Sequence, residues 1–260
     1  MRADRGSATA AVPVRLRQVV VITSDLARVT AELETALGLE PGYRDEGVGY
    51  FGLENRVLAA GDCFLEVLTP VVEECAGARY LARRDGRDGG YMAIFQFADR
   101  ESPRRRAEEL GLRIVWTSDL ADMSGTHLDP RDLRGAIVSL DWADPPESWR
   151  WAGPAWSAGR VHHSVGRRRG GISSLEVAVT EPEEVAATWA RVLGPGAELS
   201  GRSISLRGAG QVITFVEAPD RRSEGIVACG LELEEVAGVP ARWSGEISGV
   251  RLSVVPLDGT

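Results

Sequence analysis

The chain has 260 residues, of which 43% are hydrophobic and 26% charged, and it carries a net charge of −8 at pH 7. That length allows one large domain or two ordinary ones with a substantial core. The acidic balance excludes a surface built for nucleic acid or an anionic membrane, both of which need a basic face, and no apolar run approaches the roughly 20 residues of a membrane span.

In chain order, residues 1–13 are small and polar, lack the apolar segment of a secretory signal, and are expected to form a disordered lead. From residue 19 a pattern sets in that recurs twice. VVVITSDLARVTAELETALG (19–38), MAIFQFADRESPRRRAEELG (92–111) and LEVAVTEPEEVAATWARVLG (175–194) share one grammar. Each opens with a β-branched or aromatic run, as a buried strand does. Each then turns at an acid, Asp25, Asp99 or Glu181, placed to accept from free helix N–H groups. Each helix stops at Leu-Gly (Gly38, Gly111, Gly194), because glycine takes up positive φ past a helix end without strain. The acid-to-glycine spacing is 13, 12 and 13 residues, which marks a true internal repeat.

Three short strands should follow each helix, giving βαβββ units. After Gly38 they fall near PGYRDE, in ENRVLAAG and in CFLEVLTP; after Gly111 in RIVWTSDL, THLDP and GAIVSLDWA; after Gly194 in AELSG, RSISLRG and QVITFVEAP. GIVACGLELEE (225–235), a truncated helix and ISGVRLSVVP (247–256) suggest a reduced fourth unit. The fold class is therefore α+β, with modules at 14–70 and 90–143 in a first domain (14–143) and a degenerate second domain at 172–260. Residues 144–171, rich in Pro, Gly and Trp, read as a connector. GGY at 89–91 precedes a strand and reads as a turn, and the arginine runs at 104–106 and 167–169 read as solvated surface. Three cysteines, odd in number and without metal-site spacing, fit a reducing cytoplasm, with Cys63 and Cys229 as buried thiols. No phosphate-binding loop, nucleophile elbow or G-x-G-x-x-G that follows a strand is read in the sequence.

GYFGLENRVLAAGDCFLEVLTPV and GGYMAIFQF…GTHLDPRDLRGAIVSLD resemble the vicinal oxygen chelate superfamily, which includes glyoxalase I, bleomycin-resistance proteins and extradiol dioxygenases, and resemble its glyoxalase-like group most closely. The resemblance implies that paired βαβββ modules form a half-barrel cleft. In metal-dependent members each module supplies two ligands, usually His or Gln from its first strand and Glu from its last. Carried over, those positions are Gln18 and Glu66 in the first module and Met92 and Ser139 in the second, where His and Glu would be expected. Thioether and hydroxyl are weak ligands for such ions. The expectation is thus a degenerate site without a cofactor; a divalent metal ion, if one bound, would rest on Gln18 and Glu66.

Single residues keep two readings. Glu66, in an apolar strand, is a satisfied buried carboxylate or a cleft acid or base of raised pKa. His127 orders its loop or shuttles a proton. Asn55 fixes a ligand or caps a turn. Trp149, Trp151 and Trp156 anchor the connector or wall the cleft, and the adjacent His162 and His163 read as surface. The second pair of modules, headed by Ser174 and a residue near Ala228, shows no ligand set.

Together these point to a small-molecule-binding protein, monomeric or homodimeric and cytoplasmic, with catalytic candidates Glu66 and His127 and ligand contacts Gln18, Asn55, Met92 and Ser139. The alternative is a metal-dependent or acid–base isomerase, lyase or dioxygenase.

Overall fold

A computed structural model describes residues 14–147 and 169–257. The expected disordered lead, most of the connector, its three tryptophans, and His162 and His163 lie outside them. In the first module, β1 (Val14–Ile22) leads into α1 (Leu26–Leu37), a 3-10 turn (Glu46–Phe51), β2 (Leu53–Ala60) and β3 (Cys63–Pro70). After α2 (Ala76–Arg83), the second module runs β4 (Gly89–Phe97), α3 (Glu101–Glu109), β5 (Ile114–Asp119), β6 (Met123–Leu128) and β7 (Ile137–Ala143). The third is β8 (Gly170–Val179), α4 (Pro182–Leu193), β9 (Ala197–Ser200), β10 (Ser203–Leu206) and β11 (Gln211–Glu217). The fourth is β12 (Gly225–Leu233), β13 (Trp243–Ile247) and β14 (Val250–Pro256).

One pairing rule repeats in every module. The first strand runs parallel to the last: β1 with β3, β4 with β7, β8 with β11, and β12 with β14. The first strands of neighbouring modules pair antiparallel, β1 with β4 and β8 with β12. A single register pair, Ile226 with Gly90, joins β12 to β4 and merges both halves into one 14-stranded sheet. The architecture is α+β.

Helices and halves pack through a shared apolar core. Trp189 of α4 is fully buried, edge-on to Phe95 and Phe215 at 6.0 and 5.3 Å, and its indole N–H donates to the Arg134 carbonyl. The Asp25 side chain caps α1 through the Arg28 N–H at 3.1 Å, and Gly38 closes that helix at φ +60°.

Several local expectations are corrected. The strand near PGYRDE is only an isolated bridge, Tyr43 to Val57, because the chain turns there into the 3-10 segment capped by Asp45. The GGY turn is instead the start of β4, where the absence of a Cβ at Gly90 lets the backbone lie against Ile226. Helix α2 was not expected. The stretch between β12 and β13 contains no helix. Glu181 makes no capping bond, because its carboxylate pairs with Arg134. The run at 104–106 is not simply solvated: Arg104 binds Asp119 and Thr126, and Arg106 donates to the Val192 and Leu193 carbonyls at the end of α4.

Candidate functional site

The curved face of the first half encloses a cleft of about 470 Å³. Its floor comes from β1, β3, β4 and β7, and its walls from the 3-10 segment, β2, β5 and β6. Alternation along each strand dictates what faces inward. The register explains which positions correspond: Glu66 pairs with Val20, two residues past Gln18, and Ser139 pairs with Ile94, two past Met92. Gln18 and Met92 are therefore equivalent, as are Glu66 and Ser139, as the sequence comparison assigned them.

Glu66 sits at the centre of a buried polar unit. Its Oε2 accepts the Gln18 Nε2–H at 2.7 Å and its Oε1 accepts the Asn55 Nδ2–H at 2.6 Å. The Asn55 side-chain carbonyl oxygen accepts the Asp45 backbone N–H at 2.9 Å, so Asn55 both positions the acid and ties down the turn. Burial pushes the Glu66 carboxyl up to about 7; the two amide bonds oppose this and the nearby Asp45 adds to it. Burial likewise raises Asp45.

Ser139 is a correction. It is fully buried and is not part of the cleft lining, because its hydroxyl turns to the Asp141 carboxylate and the Thr126 carbonyl. The second module's carboxylate is Asp141, two residues further along the same strand face, and it lines the cleft. Burial raises it to about 7 against the bonds from Ser139 and the Thr126 backbone. The alternation of Ser139 and Asp141 in AIVSLDWA was the available signal for it.

Gln18, Asn55, Glu66, Met92 and His127 all line the cleft together. His127 pairs across the sheet with Trp116, at 4.4 Å between rings, and stacks on Phe51 at 5.8 Å. Burial lowers it to about 4, so it is neutral at pH 7. Phe51, Trp116, Asp45 and Asp141 are lining residues that the sequence reasoning missed.

The donor set does not fit a divalent ion. Both Glu66 oxygens are engaged by amides, Met92 offers only sulfur, and the Ser139 hydroxyl is taken up by Asp141. Among the described residues no group of three or more His, Cys, Asp or Glu could hold a metal. In the second half, the register places Ser174, Thr214, Ala228 and Ser253 at the four corresponding positions, with no carboxylate among them. Glu176 there pairs with Arg251 at 2.5 Å.

Paired βαβββ modules that close a half-barrel around such a cleft define the vicinal oxygen chelate superfamily. A family model described as a glyoxalase-like domain matches residues 19–193, about two thirds of the sequence, and the chain belongs to that family. Among solved structures, a hypothetical protein from Staphylococcus aureus is similar over 94% of this chain and 99% of its own, at TM-score 0.65 and 10% identity. A mutant of 4-hydroxymandelate synthase from Streptomyces coelicolor is similar over 87% of this chain and 73% of its own, at TM-score 0.62 and 16% identity. These likenesses show the fold alone. A methylmalonyl-CoA epimerase from Streptomyces coelicolor aligns with 50% of this chain and 96% of its own, at 21% identity and TM-score 0.44. No curated protein matches the chain. No helix among the described residues is long and apolar enough to cross a membrane.

Proposed function

We propose that the chain binds an apolar, flat organic molecule in the first-half cleft, without a metal. The cleft itself carries this reading. Its volume lies in the range of small-molecule sites, which typically combine apolar walls with a few fixed polar groups. Here Val48, Phe51, Leu53, Ile94, Trp116 and Met123 form apolar walls around Glu66 and its two amide partners. A carboxyl held by Gln18 and Asn55 presents a fixed acceptor, or a donor when protonated, against which a ligand can orient.

A second reading has one specific observation in its favour. A buried carboxyl raised to about 7 in the cleft is matched to proton transfer near neutral pH. In it Glu66 would move a proton at a carbon beside a carbonyl, with neutral His127 as a hydrogen-bonding partner.

The test is a screen of flat aromatic compounds by thermal shift and tryptophan quenching, repeated on Met92→Arg and Trp116→Ala, each checked for folding by circular dichroism. Hits lost in both variants support cleft binding, whereas hits unaffected by either place the ligand elsewhere and defeat the reading. Any hit that carries a carbonyl is then incubated in D₂O. Deuterium uptake that disappears in Glu66→Gln, while affinity falls only a few-fold, selects the acid–base reading.

A further inference from the structure

The electrostatics of the cleft are one-sided. Among the described residues, three carboxyl groups line it, from Asp45, Glu66 and Asp141, and no arginine does. All 30 basic residues of the chain are arginines, so no lysine can reach in either. Arginines adjacent in sequence to lining residues are engaged elsewhere: Arg44 pairs with Glu54, and Arg56 donates to the Asn55 main-chain carbonyl. Arg17 donates to the Gln96 side chain at 2.5 Å and the Pro146 carbonyl at 2.8 Å and lies over the Phe64 ring, while Arg104 binds Asp119 and Thr126. Glu66 is held by neutral amides, and Asp141 by a hydroxyl and a backbone N–H. Neither has a counter-ion among the described residues. A buried carboxylate without one is costly, and a group of opposite charge relieves that cost.

The remaining lining fits the same charge. Phe51 and Trp116 place aromatic rings in the lining, and aromatic rings attract cations. The His127 ring packs against both, lines the cleft, and makes no side-chain hydrogen bond among the described residues. As a neutral imidazole it has a ring nitrogen available to accept from an ammonium N–H. The other titratable group on the walls, Tyr91, is raised to about 12 by burial and stays neutral. A carboxylate or phosphate ligand would meet three acids and no cation.

We propose that the cleft selects organic cations: an ammonium group carried on an apolar, flat body, with its charge against the carboxyls of Glu66 and Asp141. This rests on the reading of the cleft as a ligand site and names the class of ligand it takes. Because a cation favours the ionised carboxyls, its binding releases protons near pH 7 and tightens as pH rises.

The test uses one flat body in three charge states: 2-naphthylmethyl-trimethylammonium, 2-naphthylmethanol and 2-naphthylacetate. Affinities are read by tryptophan quenching and calorimetry at pH 5.5 and 8.5, for the full chain and for Glu66→Gln, Asp141→Asn and Met92→Arg. The cation should bind at least ten-fold more tightly than the alcohol at pH 8.5, and the acetate most weakly. That preference should shrink at pH 5.5 and in both amide variants, where the alcohol keeps its affinity. An alcohol or acetate that binds as tightly as the cation at pH 8.5, in a Met92-dependent manner, overturns the cation inference and leaves the cleft reading standing. Cation binding indifferent to Glu66→Gln and Asp141→Asn also overturns it. If none of the three binds, or Met92→Arg affects none, both readings fall.

Discussion

Replacing Glu66 with Gln should remove a pH-dependent penalty on folding. The folded carboxyl titrates near 7, whereas an unperturbed glutamate titrates at 4.5. A carboxyl whose folded pKa is raised holds its proton longer in the native state, so stability is highest below 4.5 and declines as pH rises from there through 7. Between pH 5 and pH 8 a shift of this size lowers stability by about 2–3 kcal/mol. The substituted amide cannot ionise, so the variant lacks that decline. It also meets the Gln18 and Asn55 donors, and Asn55 is fixed by the Asp45 N–H, so one hydrogen bond is lost or reversed at about 1 kcal/mol. The variant should therefore be slightly less stable than the parent at pH 5 and more stable at pH 8. Urea unfolding at both pH values measures this directly. The contribution of Asp141, which has the same sign, cancels in the comparison. Parallel stability profiles for parent and variant would refute the claim that Glu66 is protonated near neutrality in the fold.

Trp189→Ala should cost about 3–5 kcal/mol, because it empties a fully buried site between Phe95 and Phe215 and frees the Arg134 carbonyl; thermal unfolding tests it. Arg134→Met should cost about 3 kcal/mol in denaturant unfolding, because it strands the largely buried Glu224 carboxylate that Arg134 shares with Thr180, and no loss would mean the pair adds nothing. Gly90→Ala places a Cβ 2.4 Å from the Ile226 Cβ and should cost about 1–3 kcal/mol, with faster amide hydrogen exchange in β4 and β12 than in β2. Asn55→Leu removes the larger of the two hydrogen bonds that hold the Glu66 pKa down, so a carbon-13 NMR titration should find that carboxyl above its parent value.

How much of this could be read beforehand follows the periodicity of the chain. The repeat of strand, acid, helix and Leu-Gly located α1, α3 and α4 and the strands around them, because hydrophobic alternation and helix ends are local signals. Gln18, Glu66, Asn55, Met92 and His127 were assigned to one site and do line one cleft. Ser139 does not, because its side chain is taken up by Asp141, a carboxylate that alternation places on the same face and that a position-by-position family comparison passes over. Helix α2 went unseen because its eight residues carry only two buried positions, too few to set a period. The role of Arg106 at the end of α4 was illegible for a different reason: its partners lie 86 and 87 residues away, and nothing local announces them.

Glycines mark several of the closest approaches where the two halves meet. A Cβ on Gly61 would stand 2.1 Å from the Gly170 carbonyl oxygen, one on Gly171 would stand 2.7 Å from Asp62, and one on Gly135 would stand 2.4 Å from Val177. At Gly61 main chain lies on main chain, and Gly171 and Gly135 make room for the Asp62 and Val177 side chains, so bare backbone brings the halves close beside the side-chain contacts of their shared core. Such a seam is indifferent to what the faces on either side become. One half can reshape its concave surface for new ligands while the other loses its polar groups and serves as a buttress, and the joint between them need not change. A chain of this shape can change its concave faces and stay the same object, provided the seam glycines and the core side chains packed beside them are kept.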